Sequence, residues 1–189
     1  KTEKTGGLNS SFKMIKKRAN SICQIWKEKM KNNNIDTAVI LAAGKGERIS
    51  NTDEFVAKPL IKVFDVSLIE RSIKNLINNL NVKKIYVVTG FNHEEINNHL
   101  AKLKNKLSLN VEVIFAKDWE KGNGASFLAI LDKIKHEQFY LLMVDHLFNN
   151  EFYKTILKYK INNKSYLIIS RTLSSLNDFN DATKVKVGG

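Results

Sequence analysis

The sequence predicts an α/β fold: a mainly parallel central sheet with helices on both faces, preceded by a basic N-terminal helix. Three observations predict it. Five short apolar runs, residues 38–41, 85–88, 111–115, 140–144 and 166–169, have strand length and read as strands buried on both faces. Amphipathic stretches with helical spacing separate them, and a strand–helix–strand alternation implies crossover connections between parallel strands. The chain has 189 residues, 43% of them hydrophobic, which suits one α/β domain with a real core plus an extension.

Taken in order, residues 1–11 are polar and glycine-containing and read as linker. Phe12, Ile15, Ala19, Ile22, Trp26 and Met30 then recur at three- and four-residue steps among lysines, an amphipathic helix that "KNNN" at 31–34 ends. Residues 1–34 are therefore expected to form an N-terminal extension, and 35–189 the α/β domain. After the strand at 38–41 comes "AKPL" at 57–60, with the chain's only proline. The stretch 66–80 carries Ile69, Ile73, Leu76, Ile77 and Leu80 on one stripe. The stretch 93–107 opens at Asn92 with Glu95 three residues on, a variant of the capping box. A third helix is expected over 125–134. The chain begins at Lys and stops at "KVKVGG", so a fragment truncated at its C-terminal end is expected.

In a sheet of this kind ligands bind past the carboxyl ends of the strands, which directs attention to the residues that follow each apolar run. The first run ends in Ala42-Ala43-Gly44-Lys45-Gly46-Glu47-Arg48. Glycines there let the backbone approach an anion and Lys45 and Arg48 supply charge, although a plain strand-to-helix turn explains the glycines equally well. The loop lacks the third glycine of a dinucleotide fingerprint and the Gly-Lys-Ser/Thr of a P-loop. Lys58, locked before Pro59, is a fixed point from which an ammonium reaches back to the same anion. The fourth run delivers Asp145 and His146. A carboxylate leaving a buried strand either caps the next helix, the simpler reading of Asp145 alone, or binds a hard cation. His146 alone reads as a hydrogen-bonded structural side chain. The polar loop Glu120 to Gly124 opens the third helix and turns its N–H groups toward the same edge.

"LAAGKGER" at 41–48, the following "KPL", the loop "GNGAS" and an aspartate at the end of a hydrophobic strand resemble the nucleotidyltransferases of the MobA-like superfamily, with a Rossmann-like core. The strings "KGNGASFLAI", "LLMVDHLFN" and "DATKV" are most similar to CTP:inositol-1-phosphate cytidylyltransferases. The resemblance implies that Leu41, Ala42, Ala43, Gly44 and Gly46 hold the nucleotide, with Arg48 on its phosphates and Lys58 on the triphosphate or the incoming phosphate. It implies Glu120, Gly122 and Asn123 near the base or ribose. Asp145 would bind Mg2+, Asp181 would be a second acidic ligand and Lys184 a substrate contact. Family members continue beyond "DATKVKV", so the resemblance implies that part of the acceptor pocket is expected outside this sequence.

The reaction so implied transfers CMP from CTP to inositol 1-phosphate, giving CDP-inositol and pyrophosphate. Its substrates would be CTP and a small phosphorylated alcohol, and a fused or partner membrane synthase would use the product. Phosphocholine, 2-aminoethylphosphonate or a sugar 1-phosphate are alternative acceptors. Choline calls for an aromatic cage, for which Trp119, Phe127, Phe139 and Tyr140 are available, but the last three read as core.

Composition narrows the other classes. A net charge of +12 invites a nucleic-acid reading, yet residues 1–34 hold nine basic and two acidic residues, a net of +7, and the much longer remainder only +5. No specific nucleic-acid partner is expected, and a nucleic-acid or membrane-surface module carried by the basic helix is the non-enzyme alternative. A single cysteine, Cys23, excludes an internal disulfide framework and a Cys-based zinc site. With no signal-peptide pattern or bilayer-length apolar run, a cytoplasmic setting is the expectation.

Overall fold

The computed structural model describes residues 35–46, 57–107, 110–135, 138–159 and 165–169. The expected N-terminal helix, Arg48, Asp181 and Lys184 lie outside the described residues. The chain divides into two compact units, Lys1–Tyr159 and Lys160–Gly189.

In the first unit four strands, β1 (Thr37–Ala42), β4 (Lys84–Thr89), β5 (Val111–Phe115) and β6 (Phe139–Met143), form one parallel sheet in the order β5-β4-β1-β6. A short antiparallel pair, β2 (Lys62–Val63) and β3 (Val66–Ser67), precedes the first helix. Its turn residues Phe64 and Asp65 both take positive φ, 49° and 60°, the left-handed conformation a tight hairpin needs. The helices are α1 (Leu68–Leu80), α2 (His93–Leu107), α3 (Asn123–Leu128), α4 (Leu131–Ile134) and α5 (Asn150–Ile156).

Strand alternation sends neighbouring side chains to opposite faces, and β1 shows it. Ala38, Ile40 and Ala42 join a core with Ile69, Ile73 and Leu76 of α1, Ile96 and Leu100 of α2, and Tyr153 of α5. Val39 and Leu41 join a second core on the other face, with Tyr86, Val88, Ile130 and Ile134. Helices therefore cover both faces, as the sequence predicts. The polypeptide winds β1, α1, β4, α2, β5 on one face, then crosses through α3 and α4 on the other to place β6 against β1.

Three expectations need correction in this unit, and a fourth in the second. Burial on both faces holds for the central strands, every residue of β1 being buried, but the outer strands β5 and β6 are partly exposed, with Leu141 at 50%. An outer strand has a neighbour on one side only, so its flank stays open. The helix expected over 66–80 begins at Leu68, because Val66 and Ser67 pair in the hairpin and the Ser67 hydroxyl caps the helix by accepting from the Glu70 amide at 3.2 Å. The helix expected over 125–134 begins at Asn123 and is interrupted between Leu128 and Leu131. Ile130 there stays fully buried in the second core while Ala129 faces solvent, so the break re-aims the apolar stripe.

In the second unit residues 165–169 form neither helix nor strand, and Tyr166, Leu167, Ile168 and Ile169 are exposed. The strand expected at 166–169 is not formed: an apolar run becomes a strand only where a neighbouring backbone takes up its N–H and C=O groups.

Candidate active site

The sheet order makes β1 and β6 the pair at which the winding reverses, with β4 on one side of β1 and β6 on the other. In open parallel sheets the ligand crevice lies at such a reversal, past the carboxyl ends of the strands. Strand pairing extends one step past β6, the Val144 amide donating to the Leu41 carbonyl at 3.1 Å, which fixes where the next residue, Asp145, emerges. Ser72 of α1, buried within an apolar stripe, donates its hydroxyl to the Val144 carbonyl at 3.3 Å and secures the same point.

The Lys58 ammonium donates to Asp145 Oδ2 at 2.5 Å, a contact between residues 87 positions apart in sequence. Lys58 opens a single 3-10 turn, Lys58–Leu60, in which Pro59 is buried and the Leu60 amide donates to the Ala57 carbonyl at 2.8 Å. The glycine loop meets this lysine directly. Gly46 has φ +71°, and a Cβ placed on it would stand 2.9 Å from Lys58 Cβ, so both its conformation and its space require glycine. Gly44, by contrast, borders open space.

Burial alone would raise the Asp145 carboxyl. The hydrogen bond and charge of Lys58, the residue's own backbone amide and the His146 charge together outweigh it and hold the carboxyl below the usual carboxylate range. Its other oxygen, Oδ1, is buried and accepts no hydrogen bond among the described residues. Nor does Asp145 cap the next helix: Asn149 does, its side chain accepting from the Phe152 amide at 2.9 Å. The carboxylate therefore has one oxygen on Lys58 and one free for a ligand.

Of the residues singled out in the sequence, the structure brings together Gly46, Lys58 and Asp145. Asn123 approaches the same strand end, its Nδ2 lying 3.8 Å from the sulfur of Met143. Leu41 and Ala42 belong to β1 with side chains in the two cores, and Ala43 is buried. These three offer only backbone groups to the crevice. Glu120 is exposed in a 3-10 turn, Trp119–Lys121, followed by Gly122 at φ +99°. Among the described residues no contact ties Glu120 to the Lys58–Asp145 pair. The expectation that a helix N-terminus strengthens this loop is weakened, since α3 has only six residues and little macrodipole.

Further along the edge, past β4 and β5, the contacts are of another kind. The Thr89 hydroxyl, fully buried, donates to the Ile114 carbonyl at 3.2 Å. Its proton being committed, it accepts from His93 Nδ1 at 2.7 Å. The His93 ring packs on Phe115 at 4.8 Å, and Trp119 packs on Gly90 and Phe91. Sequence reasoning missed Ser72, Thr89 and Gly90. A polar residue inside an apolar helical stripe, and a glycine directly after an apolar run ("VVTG"), were the available signals. The proposed cage members Phe127 and Phe139 pack on each other at 6.0 Å against the second core, which supports their structural reading.

The strand order, the glycine loop and the crevice at the reversal of winding place the chain in the class of Rossmann-like α/β proteins. Within that class it belongs to the MobA-like NTP transferase domain family, whose model matches residues 38–172. The chain is 34% identical over 106 residues to a protein of Rubrobacter xylanophilus described as a bifunctional IPC transferase and DIPP synthase, covering 56% of this chain and 23% of that protein. The protein of Aquifex aeolicus with the same description is 34% identical over 103 residues, covering 54% of this chain and 23% of the relative. The chain thus spans about a quarter of the length of these curated relatives. The solved inositol-1-phosphate CTP transferase from T. maritima superposes with a TM-score of 0.56 at 24% identity, over 65% of this chain and 48% of that one, a likeness of fold. No helix among the described residues is long and apolar enough to cross a membrane.

Proposed function

We propose that the chain transfers a cytidylyl group from CTP to inositol 1-phosphate, releasing pyrophosphate. The observation that carries the reading is the Lys58–Asp145 pair at 2.5 Å beside Gly46, at the point where the sheet reverses its winding. An ammonium, a carboxylate with a free oxygen and an approachable backbone are what a triphosphate and its cation require. The cytidylyl and inositol assignments draw support from the strings at 121–130 and 141–149 and from the descriptions of the curated relatives.

In this reaction an acceptor phosphate oxygen attacks the α-phosphorus of CTP, and the bond to the bridging oxygen of pyrophosphate breaks in line. The attacking oxygen is already anionic at neutral pH, so positioning and charge neutralisation supply the catalysis and no general base is required. Lys58 leaves Asp145 for the phosphates, and Gly44 and Gly46 give them backbone access. Arg48 adds charge to the phosphates, Lys184 contacts the acceptor, and Glu120, Gly122 and Asn123 border the base or ribose.

A divalent cation, Mg2+ by preference, fits Asp145. Its buried Oδ1 accepts no hydrogen bond among the described residues, and a hard cation takes such an oxygen. No group of three or more His, Cys, Asp or Glu residues able to hold a metal occurs among the described residues. Phosphate oxygens, water and Asp181 would complete the coordination. When bound, the cation neutralises charge that develops on the phosphates.

The test is pyrophosphate release with Mg2+ across CTP, UTP, ATP and GTP, each offered inositol 1-phosphate, phosphocholine, 2-aminoethylphosphonate and glucose 1-phosphate. Turnover confined to CTP with inositol 1-phosphate is the expected result. Turnover with another pair keeps the fold and overturns the substrate assignment. Silence across the grid with no nucleotide binding removes the enzymatic reading and leaves the basic N-terminal segment as the functional element, assayed by salt-dependent binding to duplex or anionic vesicles. A product such as CDP-inositol suits a fused or partner membrane synthase.

A further inference from the structure

We propose that Trp119 is a positioning residue for Lys45, holding its ammonium at the mouth of the crevice for the phosphates of the nucleotide. The inference rests on the reading of that crevice as a nucleoside triphosphate site and adds a residue pair to it.

Three loops converge on Trp119. Its side chain lies so close to Gly90 that a Cβ there would stand 2.2 Å from the indole Cγ and 2.4 Å from the Trp119 Cβ. Only glycine after β4 leaves room for the ring. Phe91 flanks the indole with ring centroids 6.0 Å apart, and the Phe91 amide donates to the Ala43 carbonyl at 3.0 Å, the residue directly before the glycine loop. From that loop the Lys45 ammonium stands 5.7 Å from the centre of the Trp119 ring, within the range of a cation–π contact.

The backbone of Trp119 is held as well. Its amide donates to the Ala116 carbonyl at 3.3 Å, and the Ala116 amide donates to the Thr89 carbonyl at 2.8 Å. The Trp119 carbonyl accepts from the Gly122 amide at 3.1 Å, which forms the turn leading to Asn123. One residue of the loop after β5 therefore touches the loop after β4 and the loop after β1.

The chemistry suits a cation that must later meet an anion. Lysine has a long stem with many rotamers, and fixing it in advance lowers the entropy lost when a ligand arrives. A ring face orders an ammonium from one side and adds no full negative charge of its own.

The experiment is a double-mutant cycle on CTP affinity in the full chain, by calorimetry, with Lys45→Met, Trp119→Leu and the double variant. Lys45→Met should weaken CTP in the wild-type background by about two- to fivefold more than in the Trp119→Leu background, the size of one cation–π contact. Trp119→Phe should restore part of that coupling. Affinity for cytidine, which has no phosphate, should not show it, whereas a purely structural role for Trp119 would weaken cytidine and CTP alike. Should Trp119→Leu fail to fold, Lys45→Met alone decides: in a Trp26→Phe background the indole emission must shift and CTP affinity must fall. Additive losses, or unchanged emission and affinity, overturn the proposal. Absence of any triphosphate binding by the unaltered chain instead overturns the nucleotide reading beneath it.

Discussion

Along one edge of the sheet, the β1–β6 boundary sets opposite charges 2.5 Å apart, whereas the β4–β5 boundary closes with rings and side-chain hydrogen bonds around Thr89, His93, Phe115 and Trp119. Solvent access marks the difference. Past β4 and β5, Thr89 is fully buried and Trp119 packs on Gly90 and Phe91. At β1–β6, Lys58 and Asp145 stay partly solvated, with 19% and 28% of their side chains exposed. Charge is affordable where water or a ligand can reach it.

The largest expected effect breaks the charged side of this comparison. Lys58→Ala should lower turnover by about a hundredfold or more, the scale of losing a fixed charge contact in the transition state. Steady-state pyrophosphate release measures it, and near-normal turnover would remove Lys58 from the mechanism.

The packed side should respond in stability first. Gly90→Ala puts a methyl 2.2 Å from Trp119, and overpacking of this kind costs about 1–3 kcal/mol. For a chain of this size that lowers Tm by about 2–4 °C per kcal/mol, readable by calorimetry. A variant as stable as the parent would show that Trp119 does not rest on Gly90.

The smallest effect sharpens the comparison through pH. Folding lowers the Asp145 pKa, so the pair's stabilisation is complete above the unfolded-chain value of about 4 and is lost as pH falls through the folded value. Lys58→Met removes the hydrogen bond and charge that outweigh burial. The gap in Tm between the parent and Lys58→Met should therefore widen as pH rises from about 3 to about 6. A gap that stays flat over that interval would mean the pair is not formed in solution.

How much of this was legible in advance differs by residue. Ala38 to Leu41 announced a central strand, because a run with no polar member fits a strand buried on both faces. The stripe through Ile69, Ile73 and Leu76 announced the face that α1 buries. Gly46 and Lys58 were legible as a loop and an anchored lysine. Their contact was not, because nothing local relates a glycine's missing side chain to a lysine stem twelve residues on. Asp145 was legible as a carboxylate at a strand end, but its choice between cap and ligand was not. Asn149 caps α5 itself, which excludes Asp145 as the cap.

By itself the sequence determined the period of each element, the alternation that makes the sheet parallel, and the residue types delivered to its carboxyl edge, since these follow from local spacing and strand polarity. Tertiary structure alone decided the order β5-β4-β1-β6, and with it which strand ends are neighbours. Lys58 and Asp145 are 87 residues apart, and Lys45 and Trp119 nearly as far. The order of the strands brings such groups within reach: β6 beside β1 for the first pair, β4 between β1 and β5 for the second.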